Sequence, residues 1–291
     1  MNVRCLLSND LASEFMGSTQ PKEDIHILLD VIECMSQYST TFFHSDSIYD
    51  IQLDMNYFAD WLYSKEGDPA LFDIKRELSK KIEKSRRIED KDYSVMMNCI
   101  IRFETKGDLL LSLCKMRSDG LFIWTKENYF DKKRWYLEQQ TPRCDFVHEA
   151  VECFPNVFFH ENVDHSLNTL NADYNIEKPY IIAHLKALND FHPLFVNFIK
   201  QGFDFRRICQ EFMKQNEDIE CSPQSDRDSA KKLSFSFEME NNSKKTLLCE
   251  LHTKLKWRGM NREKQDRIYF HPGDNKIANG KVLIVHIGTH L

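Results

Sequence analysis

Four histidines lie within thirty-nine residues in the last part of the sequence, among lysines and arginines: His252, His271, His286 and His290. An imidazole has an ordinary pKa near 6.5 and can give or take a proton at neutral pH, and the carboxylate of Glu250 can do the same. Lysine and arginine stabilise the charge of a phosphate. We therefore interpret these five residues as catalytic candidates for RNA transesterification. One group takes the 2′-hydroxyl proton, another protonates the leaving 5′-oxygen, and neither a metal nor another cofactor is required.

The same region supplies the candidate nucleic-acid contacts, which are mostly cationic. They are Lys254, Lys256, Arg258, Arg262, Lys264, Arg267 and Tyr269. Residues 231–291 carry twelve Lys/Arg and six Asp/Glu, a local net charge of +6, whereas the whole chain has a net charge of −6. Because a polyanion responds to the charge nearby, within a Debye length, this local excess indicates RNA or another nucleic acid as partner. The acidic remainder leaves open a protein partner for the N-terminal part.

Hydrophobic alternation predicts four strands that would hold these residues, at 233–240, 246–257, 267–271 and 281–287. In the second strand His252 and Lys254 share one face, and in the third Arg267, Tyr269 and His271 do. The last strand is nearly all apolar, which predicts a central position covered on both faces. We expect a four-stranded antiparallel sheet whose polar side chains converge on one exposed surface.

Upstream of these strands the apolar spacing is helical. Helices are predicted at 24–38, 48–63, 69–88 and 107–117, and two or three more within 180–215. The prediction is an α+β protein with a mainly helical domain at residues 1–150, of unassigned role, and an α+β domain at residues 151–291. In the second domain, helices would pack on the antiparallel sheet.

Composition excludes several classes of protein. No run of eighteen apolar residues is present, and Asn9 and Asp10 interrupt the first apolar stretch too early for a signal peptide, so we expect a cytoplasmic protein without membrane contact. The nine cysteines include no C-x-x-C pair, which predicts reduced, buried thiols and no metal site. The glycine-rich phosphate-binding, nucleophile-elbow and H-E-x-x-H motifs are absent from the sequence.

Three segments, CELHTKLKW, DRIYFHPGD and GKVLIVHIGTHL, resemble the last three strands of the RelE/ParE toxin superfamily, most closely its YafQ branch. The resemblance implies a ribonuclease of two helices packed on a curved antiparallel sheet. It also implies that His252 is the strand histidine, Arg267 a phosphate-binding residue and His290 a residue of the cleavage step. It covers only a small part of the chain, and the aromatic segment that ends the YafQ branch is missing. The whole chain resembles long bacterial proteins associated with defence islands.

The hypothesis is thus a metal-independent endoribonuclease of the RelE-like toxin kind, acting in bacterial defence. Two alternatives stay open. A metal-dependent nuclease of the PD-(D/E)xK kind would use Glu250 with Lys254 or Lys256, although the spacing departs from Glu-x-Lys. A non-enzymatic component would bind nucleic acid through the cations, with Trp257 and Tyr269 stacking on bases, or would bind a protein.

Overall fold

The computed structural model describes residues 1–105, 107–117, 119–224, 232–239, 242–256 and 265–291. The chain forms two compact units, Met1–Lys133 and Arg134–Leu291, whereas the sequence placed the boundary near residue 150. The class is mixed α/β. Among the described residues, no helix has the length and apolar character needed to cross a membrane.

The first unit contains a five-stranded sheet in which all neighbours are parallel, in the order β5-β2-β1-β6-β7. Its strands are β1 (Val3–Leu7), β2 (Thr40–Ser45), β5 (Arg86–Ile88), β6 (Leu109–Leu113) and β7 (Phe122–Ile123), and a small hairpin adds β3 (Gln52–Leu53) and β4 (Asn56–Tyr57). The helices are α1 (Asp10–Met16), α2 (Pro21–Ser36), α3 (Phe58–Tyr63), α4 (Pro69–Lys84) and α5 (Asp90–Ile101). Parallel strands need such helical crossovers, which explains the alternation of the two element types.

This sheet was missing from the sequence prediction, and the helix predicted at 107–117 is wrong. Strand β6 occupies that segment, and all five of its side chains are buried. A strand covered on both faces shows a continuous apolar run without alternation, so a short run of this kind is easily mistaken for part of a helix. The segment 86–88, predicted as the end of a helix, is the edge strand β5.

Helix α6 (Lys126–Gln140) leads into the second unit. It is followed by α7 (Phe146–Ala150), α8 (Asn162–Ser166), α9 (Tyr174–Lys200) and α10 (Phe205–Gln215). The strands are β8 (Val157–Phe159), β9 (Cys221–Pro223), β10 (Ser234–Glu238), β11 (Lys244–Leu248), β12 (Leu251–Lys254), β13 (Arg267–His271) and β14 (Val282–Gly288). Helix α9 continues through Pro193, which the sequence treated as an interruption.

The prediction of a four-stranded antiparallel sheet is wrong, because the second unit has a five-stranded mixed sheet in the order β8-β14-β13-β12-β9. Its β8–β14 pair is parallel and the other pairs are antiparallel. The predicted strand 246–257 is divided: 244–248 pairs with 234–238 in a separate two-stranded sheet, and only 251–254 belongs to the mixed sheet. The central position expected for the last strand is confirmed, since all seven residues of β14 are buried.

Aromatic packing joins the helices of the second unit to its sheet. The ring of Phe195 on α9 is fully buried and lies 5.9 Å from the ring of Phe270 on β13. It also lies 6.0 Å from Phe212 on α10 and 4.8 Å from Phe191. One side chain therefore connects two helices and the sheet, and its loss would leave a large cavity.

We expect Phe195→Ala to lower the free energy of unfolding by about 3–5 kcal/mol, the usual loss when a buried aromatic side chain is truncated. Urea denaturation followed by far-ultraviolet circular dichroism measures this change. Ile176→Ala is the control, because Ile176 is 53% exposed. Equal midpoints for the two variants would contradict this account of the core.

Candidate active site

Four polar side chains occupy directly opposite positions on four neighbouring strands. The pairing register places Ser222 of β9 opposite His252 of β12, His252 opposite Tyr269 of β13, and Tyr269 opposite His286 of β14. Side chains at directly opposite positions of an antiparallel pair lie on the same face of a sheet. We call Ser222, His252, Tyr269 and His286 the histidine row.

Contacts run along the whole row. Ser222 Oγ lies 3.2 Å from His252 Nε2. The ring centroids of His252 and Tyr269 are 5.0 Å apart, and those of Tyr269 and His286 are 5.8 Å apart. The row is therefore a continuous strip of side chains across the sheet.

Backbone carbonyls identify the protonated nitrogen of each histidine. His252 Nδ1 lies 3.4 Å from the carbonyl oxygen of Glu250, and His286 Nε2 lies 2.8 Å from that of Thr289. A carbonyl oxygen can only accept, so these two nitrogens donate. His252 Nε2 is then free to accept the hydroxyl proton of Ser222, which is the arrangement that a base and its proton donor require.

The row is buried, whereas the sequence predicted an exposed surface. His252 is 3% exposed, His286 4% and Tyr269 0%. Tyr269 belongs to an apolar cluster with Leu233 and Phe237, which come from the segment of the β10–β11 hairpin. Packing against the hairpin segment thus helps to bury Tyr269, in the middle of the row.

Burial keeps both imidazoles neutral. It lowers the pKa of His252 to about 4, with a smaller contribution from the positive charge of Arg267. It also lowers the pKa of His286, and the hydrogen bond to Thr289 only partly opposes this effect. Neutral imidazole is the form that accepts a proton, so at pH 7 both residues are in the state of a general base.

Arg267 adds a buried positive charge to the same face. Its side chain is on the same side of β13 as Tyr269, and its Nη1 donates to the Tyr269 hydroxyl at 3.3 Å. The residue is 9% exposed, and its Nε is buried without a hydrogen-bond partner. Within the described part of the chain no carboxylate forms an ion pair with it, and burial lowers its pKa. A buried charge without a counter-ion carries a penalty of several kcal/mol, so an anion bound nearby would stabilise it.

The row reaches solvent at its Ser222 end. Ser222, Gln224 and Glu250 line a cleft of about 960 Å³ between β9 and α10, which we call the serine cleft. Gln224 Nε2 lies 3.3 Å from Nε2 of His290, so the predicted residue His290 stands beside this cleft. Burial raises the pKa of Glu250.

His271 lies apart from the row. The register shifts between Tyr269 and Phe270, so that His271 stands opposite Leu283. It lines a second cleft, of about 410 Å³, which we call the lysine cleft. Burial lowers its pKa to about 4, and its Nδ1 accepts from the backbone nitrogen of Gly273 at 3.2 Å. The structure therefore brings His252, His286, His290 and Glu250 into one region but not His271.

The lysines and arginines predicted to contact nucleic acid have different contacts in the described part of the chain. Lys254 stands opposite Arg267 and forms an ion pair of 2.9 Å with Glu220. Lys256 Nζ donates to the Tyr180 hydroxyl at 2.8 Å. Arg258, Arg262 and Lys264 lie outside the described residues.

Ser222 and Gln224 were not among the predicted site residues. The three residues of β9 are too few to show alternation, and a serine before a proline is typical of a turn. Their position beside His252 follows only from the pairing of β9 with β12.

The low pKa of His252 predicts a pH dependence of stability. The unfolded chain binds a proton at this residue below about pH 6.5 and the folded chain only below about pH 4, so the free energy of unfolding falls as the pH falls between these values. Between pH 7 and pH 5 the contribution of this residue is about 2 kcal/mol. Urea denaturation at both pH values should show that His252→Gln loses about that much less stability than the unmodified chain. His148→Gln, at an exposed position, is the control, and equal losses for all three proteins would contradict the assignment.

Comparisons with protein-family models, with curated proteins and with solved structures found no match to this chain. The resemblance to the RelE/ParE superfamily therefore stays a prediction.

Proposed function

We propose that the second unit is a metal-independent endoribonuclease. The main support for the proposal is the contact between Ser222 and neutral His252. His252 is a buried base, and Ser222 lies on the wall of an open cleft. Glu250 lines the same cleft, and His290 stands beside it. This is the activity expected from the RelE-like resemblance, with Ser222 as an added participant.

A proton relay through Ser222 removes the difficulty that His252 is buried. In the proposed reaction the 2′-oxygen of RNA attacks the adjacent phosphorus atom and gives its proton to Ser222 Oγ. The Ser222 hydroxyl gives its own proton to His252 Nε2, from which it lies 3.2 Å away. The substrate then has to reach only Ser222, which is half-buried at the cleft wall.

Glu250 supplies the second proton transfer. The new bond joins the 2′-oxygen to phosphorus, and the broken bond joins phosphorus to the 5′-oxygen. The protonated Glu250 carboxyl gives its proton to that oxygen, so the products are a 2′,3′-cyclic phosphate and a 5′-hydroxyl. The raised pKa of Glu250 supports this role, because a carboxylic acid must be protonated before it can act as an acid.

Arg267 supplies the electrostatic part of the proposal. Its charge has no carboxylate partner in the described residues and is close enough to His252 to lower the pKa of that histidine. An incoming phosphate would offset the charge of Arg267. The pKa of His252 would then rise in the complex, which would strengthen the base when substrate is present.

The experiment is incubation of the purified full chain with single-stranded RNA, with and without EDTA. We expect cleavage in both conditions, with 2′,3′-cyclic phosphate ends on the products. Cleavage that stops with EDTA would support the metal-dependent alternative. Absence of cleavage would support a binding protein. Among the described residues, no group of three or more His, Cys, Asp or Glu side chains is placed to hold a metal ion.

Variants test the relay directly. We expect Ser222→Ala to lower the cleavage rate about 100-fold, within the usual contribution of proton transfer by a positioned side chain. His252→Gln should lower it at least as much. Ser94→Ala, at an exposed serine of α5, is the matched control and should retain the full rate. Full activity of Ser222→Ala would refute the relay, whereas loss in both serine variants would indicate a general effect on folding.

A further inference from the structure

We propose that the serine cleft and the lysine cleft together form one binding path for single-stranded RNA. This inference rests on the proposed ribonuclease function and names the form of its substrate. Phe203 and Phe205 line both clefts, so the two cavities, of about 960 and 410 Å³, adjoin each other at these rings. Both volumes lie in the range of pockets that hold small organic ligands, which is sufficient for a nucleotide in each. We call the combined path the strand groove.

The two halves of the strand groove have different polar side chains. The serine cleft offers amide, hydroxyl and carboxyl groups from Gln210, Gln224, Ser222 and Glu250. Groups of this kind form hydrogen bonds with the edges of unpaired bases. The lysine cleft offers ammonium groups, which suit phosphate oxygens. Its lysines are Lys200, Lys245 and Lys276.

Several of these cations are available for a ligand. Lys245 is paired with Asp274 at 2.6 Å. Lys200, Lys276 and Arg206 are exposed, and across the described ranges none of the three forms an ion pair. Asp204 and Glu250 also line the serine cleft, so the excess of positive charge lies in the lysine cleft, where it favours the phosphates of a nucleic-acid strand.

The aromatic residues at the junction are firmly held. Phe203 stacks on Phe198 with ring centroids 4.9 Å apart, and the guanidinium of Arg207 lies 3.6 Å from the centre of the Phe203 ring. Phe205 begins α10, is half-buried and meets the ring of His271 nearly at a right angle, at 5.8 Å. A partly exposed aromatic ring between two clefts can stack on a base, and only a strand with unpaired bases can use it in this way.

The sequence analysis predicted a catalytic role for His271, whereas the strand groove assigns it a different role. Its low pKa keeps the ring neutral, and its contact with Phe205 fixes the orientation of that ring. We therefore regard His271 as a positioning residue for the stacking platform.

Fluorescence anisotropy with a short labelled single-stranded RNA tests the inference. The full-length Ser222→Ala variant is used so that the RNA stays intact. In this background Phe205→Leu keeps an apolar side chain of similar bulk but removes the aromatic face. We expect its Kd to rise roughly 5- to 100-fold, as for the loss of one stacked base. Phe158→Leu is the matched control, because Phe158 is 37% exposed on β8 at the opposite edge of the sheet, and its Kd should not change.

Further arms separate the possible outcomes. The same sequence as a duplex should bind much more weakly than the single strand, and a single-stranded DNA arm shows whether the 2′-hydroxyl contributes. An unchanged Kd for Phe205→Leu, or equal affinity for the duplex and the single strand, would contradict the proposed strand groove even if the protein cleaves RNA. Binding that depends on Phe205 without cleavage by the unmodified chain would support the groove and refute the ribonuclease.

Discussion

The polar side of the second unit depends on the hydrogen bonds that the hydroxyl of Tyr269 accepts. This fully buried oxygen accepts hydrogen bonds from Arg267 Nη1 and from the backbone nitrogen of Leu291, both at 3.3 Å. The ring of the same residue lies between those of His252 and His286. One side chain thus holds a buried cation, positions two imidazoles and attaches residues that follow β14, so these groups are ordered before any ligand binds.

Polar groups buried in the interior of the second unit reduce the stability of the fold. Two neutral imidazoles and a guanidinium without a carboxylate partner in the described chain take up space that apolar side chains could fill. Buried polar groups of this kind are favourable only when their hydrogen bonds are made, and Arg267 Nε makes none. Functional sites often retain groups whose presence reduces stability, and this is the physical reason to look for an activity here.

The strand alternation predicted part of this site. A period of two fixes which residues of a strand share a face, so His252 with Lys254, and Tyr269 with Arg267, were correctly placed together. Alternation says nothing about what covers that face. Leu233 and Phe237, from the segment of the β10–β11 hairpin, pack in one cluster with Tyr269, although the sequence assigned that segment to the same sheet. The predicted exposed surface is a buried one.

Two other features could not be predicted from the residues of a single segment. The register shift after Tyr269 places Leu283 opposite His271, and a shift of this kind depends on the partner strand as much as on the residues of β13. The parallel sheet of the first unit consists of short strands, such as β6, that are buried along their whole length and lack alternation. Two of its helices, α2 and α4, were predicted, because their buried positions repeat with the helical period. The helix predicted at 48–63 is wrong over most of its length, since the hairpin of β3 and β4 precedes the short helix α3.

The position of β14 in the mixed sheet has a consequence for the biosynthesis of the protein. This strand is synthesised after all the other strands of its sheet, yet it lies between β8 and β13. Until it emerges from the ribosome, β8 has no neighbour in the sheet and the apolar faces of α9 and β13 are incompletely covered. The second unit must therefore fold late, after nearly all of its residues have been synthesised. During that interval its exposed strand edges are open to aggregation, and a chaperone that shields such edges would be most useful then.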